Sequence, residues 1–151
     1  MIHNKKILLV DDDQLNNLIN TRIITKFSDY TVDSFTSAKA GLMYLHDCEP
    51  ELFPEIIFLD INMPRYSGFD CYALLKKDSR FMHTRFVFLS TTINEKDIPP
   101  GCDSMVKQHS LKTYEMVLKK LLRTPFNCNS SQDTSLSFDL CQPSRTTVAT
   151  Y

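Results

Sequence analysis

The sequence predicts an α/β fold, a doubly wound parallel sheet of five strands in the order 2-1-3-4-5. Short apolar runs, such as residues 7–10 and 56–59, alternate along the chain with amphipathic stretches of helical period. Strands that alternate with helices form βαβ units, and such units build a parallel sheet covered on both faces. Acidic or hydroxyl side chains follow directly after the apolar runs, which is where ligands bind in this class of fold.

Length and composition indicate one soluble globular domain. The chain has 151 residues, of which 42% are hydrophobic and 23% are charged. Its formal net charge of −1 predicts no general affinity for nucleic acid or for an anionic membrane. No apolar run approaches the roughly 20 residues of a membrane span, and the first run is too short for a secretory signal. Five cysteines without a C-x-x-C pair favour small thiols in a reducing environment, so we expect a cytoplasmic protein.

The first half of the chain contains two predicted strand–helix units. A strand at 6–10 precedes a helix at 14–27, for which Asp13 is the predicted N-cap. An alternating stretch at 30–35 predicts an edge strand, which a second helix follows. Apolar positions at three- and four-residue steps predict the face of the first helix that packs on the sheet; they are Leu15, Leu18, Ile19, Ile23 and Phe27.

The second half adds three strands and three helical segments. These are strands at 56–59, 86–89 and 104–106, helices at 69–77 and 110–123, and one or two helical turns at 94–98. Pro99 and Pro100 stop that short segment, so the fourth helix of the fold is predicted to be truncated. From Thr124 the pattern changes, because ten of the last 28 residues are Ser or Thr and only three are charged. We expect a domain at 1–123 and a flexible tail at 124–151, with a partner-binding peptide in the tail as the alternative.

Three carboxylates stand at the carboxyl ends of neighbouring predicted strands. Asp11 and Asp12 follow the first strand and Asp60 follows the third. Crowded carboxylates repel one another, and a hard divalent cation with oxygen ligands relieves that repulsion. Because Mg²⁺ is the usual cation where phosphate chemistry follows, the sequence predicts an Mg²⁺-dependent phosphoacceptor site. The alternative is that Asp11, Asp12 and Asp13 only cap the helix that follows them.

An ordered set of residues resembles the response-regulator receiver domain, the CheY-like form of the flavodoxin-like fold. The set comprises Val10-Asp11-Asp12, Leu59-Asp60 with Met63-Pro64 and Gly68, Ser90 after an apolar strand, and Lys107 before the last helix. Each motif alone is a weak signal. Their order along residues 4–123 makes the resemblance specific.

The resemblance implies a role for each matching residue. Asp60 corresponds to the phosphoacceptor, which takes a phosphoryl group from a phosphohistidine or a small phosphodonor. Lys107 would supply a positive charge to the phosphoryl oxygens, and Ser90 a hydroxyl that moves to the phosphoryl group. A solvated lysine and an ordinary strand-end hydroxyl are the alternatives for these two residues. The implied Mg²⁺ ligands are the carboxylates of Asp12 and Asp60, the backbone carbonyl of Asn62 and, through a bound water, Asp11.

The chain departs from the family pattern around the lysine. Gln108 follows Lys107 where proline is usual, and a non-proline cis bond costs ~3–4 kcal/mol, so we expect a trans bond and a less strictly aimed lysine. The segment between Ser90 and Lys107 is shorter than usual by about one helical turn. Ser104 occupies the position of the family's aromatic switch residue. We therefore expect signal output through another surface.

The favoured function is a stand-alone receiver domain in two-component signalling, which is not an enzyme. Its partners would be a sensor histidine kinase or phosphotransfer protein and an unknown protein target. No helix-turn-helix pattern or basic stripe follows residue 123, so neither a nucleic-acid nor a membrane partner is expected. One alternative is a degenerate receiver that serves as a phosphorylation-independent protein-interaction module. Another is a phosphohydrolase with an aspartyl nucleophile, which usually needs a second acid where this chain has Asn62.

Overall fold

Five parallel strands form one sheet in the predicted order. The computed structural model describes residues 5–107 and 110–125, and its sheet has the order β2-β1-β3-β4-β5. The strands are β1 (Lys6–Val10), β2 (Thr31–Phe35), β3 (Ile56–Asp60), β4 (Arg85–Ser90) and β5 (Asp103–Val106). β1 and β3 are neighbours, and Val10 pairs with Leu59 in their register. The residues that end these two strands therefore lie side by side at one edge of the sheet.

Within the described residues, four α-helices connect and cover the strands. They are α1 (Gln14–Phe27), α2 (Ala38–Asp47), α3 (Gly68–Leu75) and α4 (Leu111–Arg123). A side-chain oxygen accepts a backbone N–H at the start of every one of them, which satisfies a donor that the first turn leaves unpaired. The capping residues are Asp13, Ser37, Ser67 and Ser110. The prediction of Asp13 as the N-cap of α1 is confirmed, and so are the bounds of that helix.

The strands β1, β3 and β4 bury both of their faces, as continuous apolar runs predict. Ile7 and Leu9 of β1 pack with α1 and α4 in one hydrophobic cluster, which also contains Phe58 of β3. Leu8 and Val10 point to the opposite face, where they pack with residues of α2 and α3. The sheet therefore separates two layers of core, and each layer is covered by one pair of helices.

The predicted sheet-facing side of α1 is wrong at its N-terminal half. Leu15 is 60% and Leu18 is 54% exposed, whereas Asn17 and Asn20 are buried. Ile23, about two turns after Leu15, is buried as expected. The prediction used the spacing of apolar residues alone, so it did not include Asn17 and Asn20 in the inward face. Both amides are buried because each finds a hydrogen-bonding partner there.

The segment between β4 and β5 contains one 3₁₀ turn, Glu95–Asp97, in place of a full helix. This agrees with the predicted truncation. Gly101 has a φ of 79°, which turns the chain into β5 at little cost because glycine has no Cβ. The predicted trans bond at 107–108 and the tail beyond residue 125 lie outside the described residues. Among the described helices, none has the length and apolar character that crossing a membrane requires.

Candidate functional site

Three carboxylates meet beyond the carboxyl ends of β1 and β3. Carboxylate oxygens of Asp11, Asp12 and Asp60 all lie within 4.8 Å of one another. Asp11 and Asp60 are buried, with 1% and 2% of their surface exposed, whereas Asp12 faces solvent. Burial strengthens the repulsion between like charges, since little water remains to screen it. The structure therefore brings these three carboxylates together, as the sequence predicted.

Lys107 extends into the acidic cluster from the end of β5. Its Nζ lies 2.8 Å from Oδ2 of Asp11 and 3.1 Å from Oδ2 of Asp60. The backbone N–H of Lys107 donates to the carbonyl of Ser90 at 2.8 Å, which continues the pairing of β5 with β4 past the strand end. Burial lowers the pKa of Lys107, but its ion pairs with Asp11 and Asp60 outweigh burial, and the pKa is raised overall. The ammonium group is thus held in its charged form between two acids.

Asp60 is strongly perturbed by these surroundings. Burial, and after it the negative charge of Asp11, raise the pKa of its carboxyl, which reaches about 7 against an ordinary value of 3.8. Lys107 and the backbone N–H of Asn62 lower that pKa, without reversing the effect of burial. One lysine serves two buried acids, so the described side chains leave the site short of positive charge.

The loop between β3 and α3 holds Asp60 by backbone contacts. The N–H of Asn62 donates to Oδ1 of Asp60 at 3.1 Å, and the N–H of Ile61 donates to the carbonyl of Leu89. Gly68 packs directly on this turn, because a Cβ at that position would lie 2.6 Å from the carbonyl oxygen of Asp60. Glycine is required here by this close approach rather than by its φ angle.

Ser90 ends β4 with its hydroxyl already engaged. Its Oγ accepts the side-chain amide of Asn62 at 3.1 Å and the N–H of Thr92 at 3.3 Å. The sequence assigned Asn62 only a backbone role, so its side-chain contact was missed. An amide two residues after an acid at a strand end is the signal that could have pointed to it.

The three consecutive acids after β1 have different local partners. Asp13 accepts the N–H of Leu15 and so acts as the helix cap that the sequence predicted. Oδ1 of Asp11 accepts the N–H of Asp13, which fixes the turn between them. The side chain of Asn17 donates to the backbone carbonyl of Asp11, a contact that the sequence did not predict. Asp11 is therefore held through both its side chain and its backbone.

The donor set fits a hard divalent cation. All three clustered groups are carboxylates, which Mg²⁺ prefers to nitrogen or sulfur ligands. The partial exposure of the cluster at Asp12 also suits Mg²⁺, which usually keeps several water ligands.

A comparison with protein-family models identifies the family of this chain. The model of the response regulator receiver domain matches residues 7–120 of the chain. The chain is a member of the response regulator receiver domain family. Members of this family are signalling domains rather than classical enzymes, and they interact with histidine kinases or phosphotransfer proteins. Receiver domains generally bind Mg²⁺ through acidic residues.

Solved receiver structures and curated relatives resemble this receiver domain. It is 24% identical over 125 residues to the chemotaxis protein CheV2 of Helicobacter pylori, which covers 80% of this chain. The phosphorylated cyanobacterial phytochrome response regulator RcpA is 26% identical with a TM-score of 0.67, covering 78% of this chain and 91% of its own. The Mn²⁺-bound form of the response regulator Rcp1 is 23% identical with a TM-score of 0.66 and the same coverage. These likenesses agree with the CheY-like, flavodoxin-like fold.

The receiver domain spans only part of the larger relatives. The alignments cover 40% of CheV2, 49% of VraR from Staphylococcus epidermidis and 52% of BtsR from Salmonella typhi. The chain therefore spans about half the length of these curated relatives.

Proposed function

We propose that this receiver domain accepts a phosphoryl group on Asp60 in an Mg²⁺-dependent reaction. The observation that carries the proposal is the placement of Asp60, a buried carboxylate that faces two other acids and the ammonium group of Lys107. Phosphoryl transfer depends mostly on positioning and on neutralising oxygen charge. A nucleophilic carboxylate beside a cation site and a fixed lysine supplies both requirements.

The reaction forms one bond and breaks one. An oxygen of Asp60 attacks the phosphorus of a phosphohistidine, and the bond from phosphorus to the imidazole nitrogen breaks with its electron pair leaving on that nitrogen. The product is an acyl phosphate on Asp60 and a free histidine on the donor. Mg²⁺, when bound, neutralises charge on the phosphoryl oxygens. Its proposed ligands are Asp12, Asp60, the backbone carbonyl of Asn62 and, through water, Asp11.

Lys107 and Ser90 are proposed to contact the transferred group. Lys107 stays close through its ion pair with Asp11, even when the charge on Asp60 changes. The Ser90 hydroxyl must give up its contact with Asn62 in order to reach the phosphoryl oxygens. That exchange would move the loop that begins at Thr91 and would alter the surface around it.

We infer a signalling role from these properties. Phosphorylation would shift a two-state equilibrium and so change affinity for a protein target. The donor would be a sensor histidine kinase or a phosphotransfer protein, and the protein would act in the cytoplasm without binding nucleic acid or membrane. The phosphorylated state of RcpA and the Mn²⁺ bound to Rcp1 support the proposal by analogy.

Labelling with a small phosphodonor tests the proposal. The full chain is incubated with acetyl phosphate in Mg²⁺ or in excess EDTA, and intact-protein mass spectrometry detects addition of one phosphoryl group. We expect addition only with Mg²⁺ and none in Asp60→Asn. Asp13→Asn is the matched control, because Asp13 belongs to the same acidic run but caps α1, and it should label like the wild type. Labelling of Asp60→Asn at the wild-type rate would refute the assignment of the acceptor.

A degenerate receiver remains the competing function, and one observation favours it. The segment between β4 and β5 has only a single 3₁₀ turn where a longer helix is usual for the family. In that case the full chain would show neither phosphoryl addition nor any Mg²⁺-dependent change with beryllofluoride. The phosphohydrolase alternative is weaker, because Asn62 is no acid and donates its amide to Ser90. Turnover of p-nitrophenyl phosphate would restore it.

A further inference from the structure

Helix α1 buries an asparagine against the carboxyl ends of β1 and β2. Nδ2 of Asn17 donates to the backbone carbonyl of Asp11 at 3.0 Å and to that of Phe35 at 3.1 Å. The carbonyl of Phe35 also accepts the backbone N–H of Asp11 at 3.1 Å. One amide group therefore joins the residue after β1 to the last residue of β2. Asp11 is held at its N–H, its carbonyl and its carboxylate.

Packing alone does not explain why an asparagine occupies this position. Asn17 is 3% exposed, and its Oδ1 is buried with no hydrogen-bond partner in the part of the chain that the structure describes. An orphaned buried amide oxygen is unfavourable, whereas an apolar side chain would avoid that cost. Meanwhile Leu15 and Leu18 of the same helix remain exposed. The two hydrogen bonds that its Nδ2 donates offset the cost of burying the amide.

We propose that Asn17 is a positioning residue for the Asp11–Asp12 half of the phosphoacceptor site. This inference rests on the proposed Mg²⁺-dependent function. Holding the carbonyl of Asp11 fixes the backbone from which the carboxylates of Asp11 and Asp12 project. Because Asp11 also pairs with Lys107, the position of the lysine depends on the same backbone. Partners of this kind tune metal affinity although they do not touch the ion.

Asn20 provides a matched control in the same helix. It is also a buried asparagine of α1, but its Oδ1 accepts the hydroxyl of Tyr114 on α4 rather than contacting the site. The full-length variants Asn17→Ala and Asn20→Ala should both lower the free energy of unfolding measured with urea. We expect only Asn17→Ala to weaken Mg²⁺ binding, by about tenfold in isothermal titration calorimetry. Asn17→Thr, which keeps more volume, replaces Asn17→Ala if that variant does not fold.

Hydrogen exchange without metal gives an independent measurement. The N–H groups of Asp11 and Asp13 are bonded within the turn that Asn17 holds. In EDTA, Asn17→Ala should speed exchange at both amides by about tenfold relative to the amides of β4, because local opening is no longer restrained there. Asn20→Ala should leave that ratio at its wild-type value.

The outcomes separate this inference from the proposed function. Wild-type protein that binds no Mg²⁺ would refute the proposed function, and exchange at Asp11 and Asp13 would still decide whether Asn17 holds the turn. Asn17→Ala with wild-type exchange ratios refutes the positioning role in every case. Equal loss of Mg²⁺ affinity in Asn17→Ala and Asn20→Ala refutes it as well, since a general loss of packing would then explain both.

Discussion

The burial of Asp60 beside a second acid lowers the stability of the fold. The carboxylate is buried beside Asp11, and the two acids share Lys107 as their cation. A hydrophobic or amide side chain would be less costly at this place, because it carries no charge into the protein. Strained or destabilised groups of this kind are common at functional sites.

Asp60→Asn should therefore stabilise the metal-free protein. The pKa of Asp60 is about 7 in the folded state against an ordinary value of 3.8, so the folded protein binds more protons between these values and loses stability as the pH rises through them. We expect the variant to gain about 2 kcal/mol at pH 8 in EDTA and nothing below pH 4. Urea unfolding across this range measures the gain. Asp12→Asn, which removes the exposed member of the cluster, should gain much less, and equal gains would contradict the argument from burial.

Gly68 tests how closely the loop is packed on Asp60. A methyl group there would lie 2.6 Å from the carbonyl oxygen of Asp60, so the loop must move in Gly68→Ala. We expect a loss of about 2 kcal/mol in the free energy of unfolding and weaker Mg²⁺ binding. Gly101→Ala is the control, because it also loses glycine's freedom but has no atom within 4 Å of the new methyl group. That variant should lose about 1 kcal/mol and keep wild-type Mg²⁺ affinity.

At the scale of whole elements, α1 shows what the sequence could and could not predict. Its start, end and cap were predicted, because Asp13 and the apolar spacing are local signals. The N-terminal half of the inward face was not, because Asn17 and Asn20 are buried for their hydrogen bonds with residues far along the chain. The same difference between local signals and long-range contacts explains which site residues were predicted. Asp11, Asp60 and Lys107 follow strands and were predicted, whereas the contact of Asn62 with Ser90 depends on two loops meeting.

The packing of α1 on α4 depends on one buried polar pair. The hydroxyl of Tyr114 donates to Oδ1 of Asn20 at 2.6 Å inside the cluster that the two helices share. Tyr114→Phe leaves that amide oxygen without this donor, and we expect a loss of about 1–2 kcal/mol. In a double-mutant cycle with Asn20→Ala, the two single losses should exceed the double loss by about 1 kcal/mol. Additive losses, measured by urea unfolding, would show that the pair is not coupled.

For the whole molecule, a parallel sheet with helices on both faces gathers residues from distant parts of the chain. Asp11 and Lys107 follow β1 and β5, whereas Asp60 and Ser90 are the last residues of β3 and β4. The parallel arrangement brings all four strand ends to one edge. The alternation of elements predicted this arrangement because right-handed βαβ connections leave few other topologies. The same arrangement places the site between the two core layers, so a change there can reach helices on either face.

The region between Ser90 and Lys107 differs from the usual family pattern, and this difference bears on which surfaces respond to phosphorylation. Ser104 is fully buried and small where the family has an aromatic residue, and the neighbouring segment holds a single 3₁₀ turn. Ser104 has no large side chain that could move in response to the proposed shift of Ser90. Asp11, by contrast, is bonded to the N-cap residue of α1, and Lys107 precedes α4 in the sequence.

We therefore expect beryllofluoride with Mg²⁺, which imitates the phosphorylated state, to slow hydrogen exchange mainly in the loops at 61–67 and 91–94 and in the first turns of α1 and α4. Residues 95–103 should change least. Hydrogen-exchange mass spectrometry of the full chain measures this, with Asp60→Asn under the same conditions as the control that should show no change. A response concentrated in residues 95–103 would mean that the shortened segment still serves as the output surface, and that replacing the aromatic residue by Ser104 did not redirect the signal.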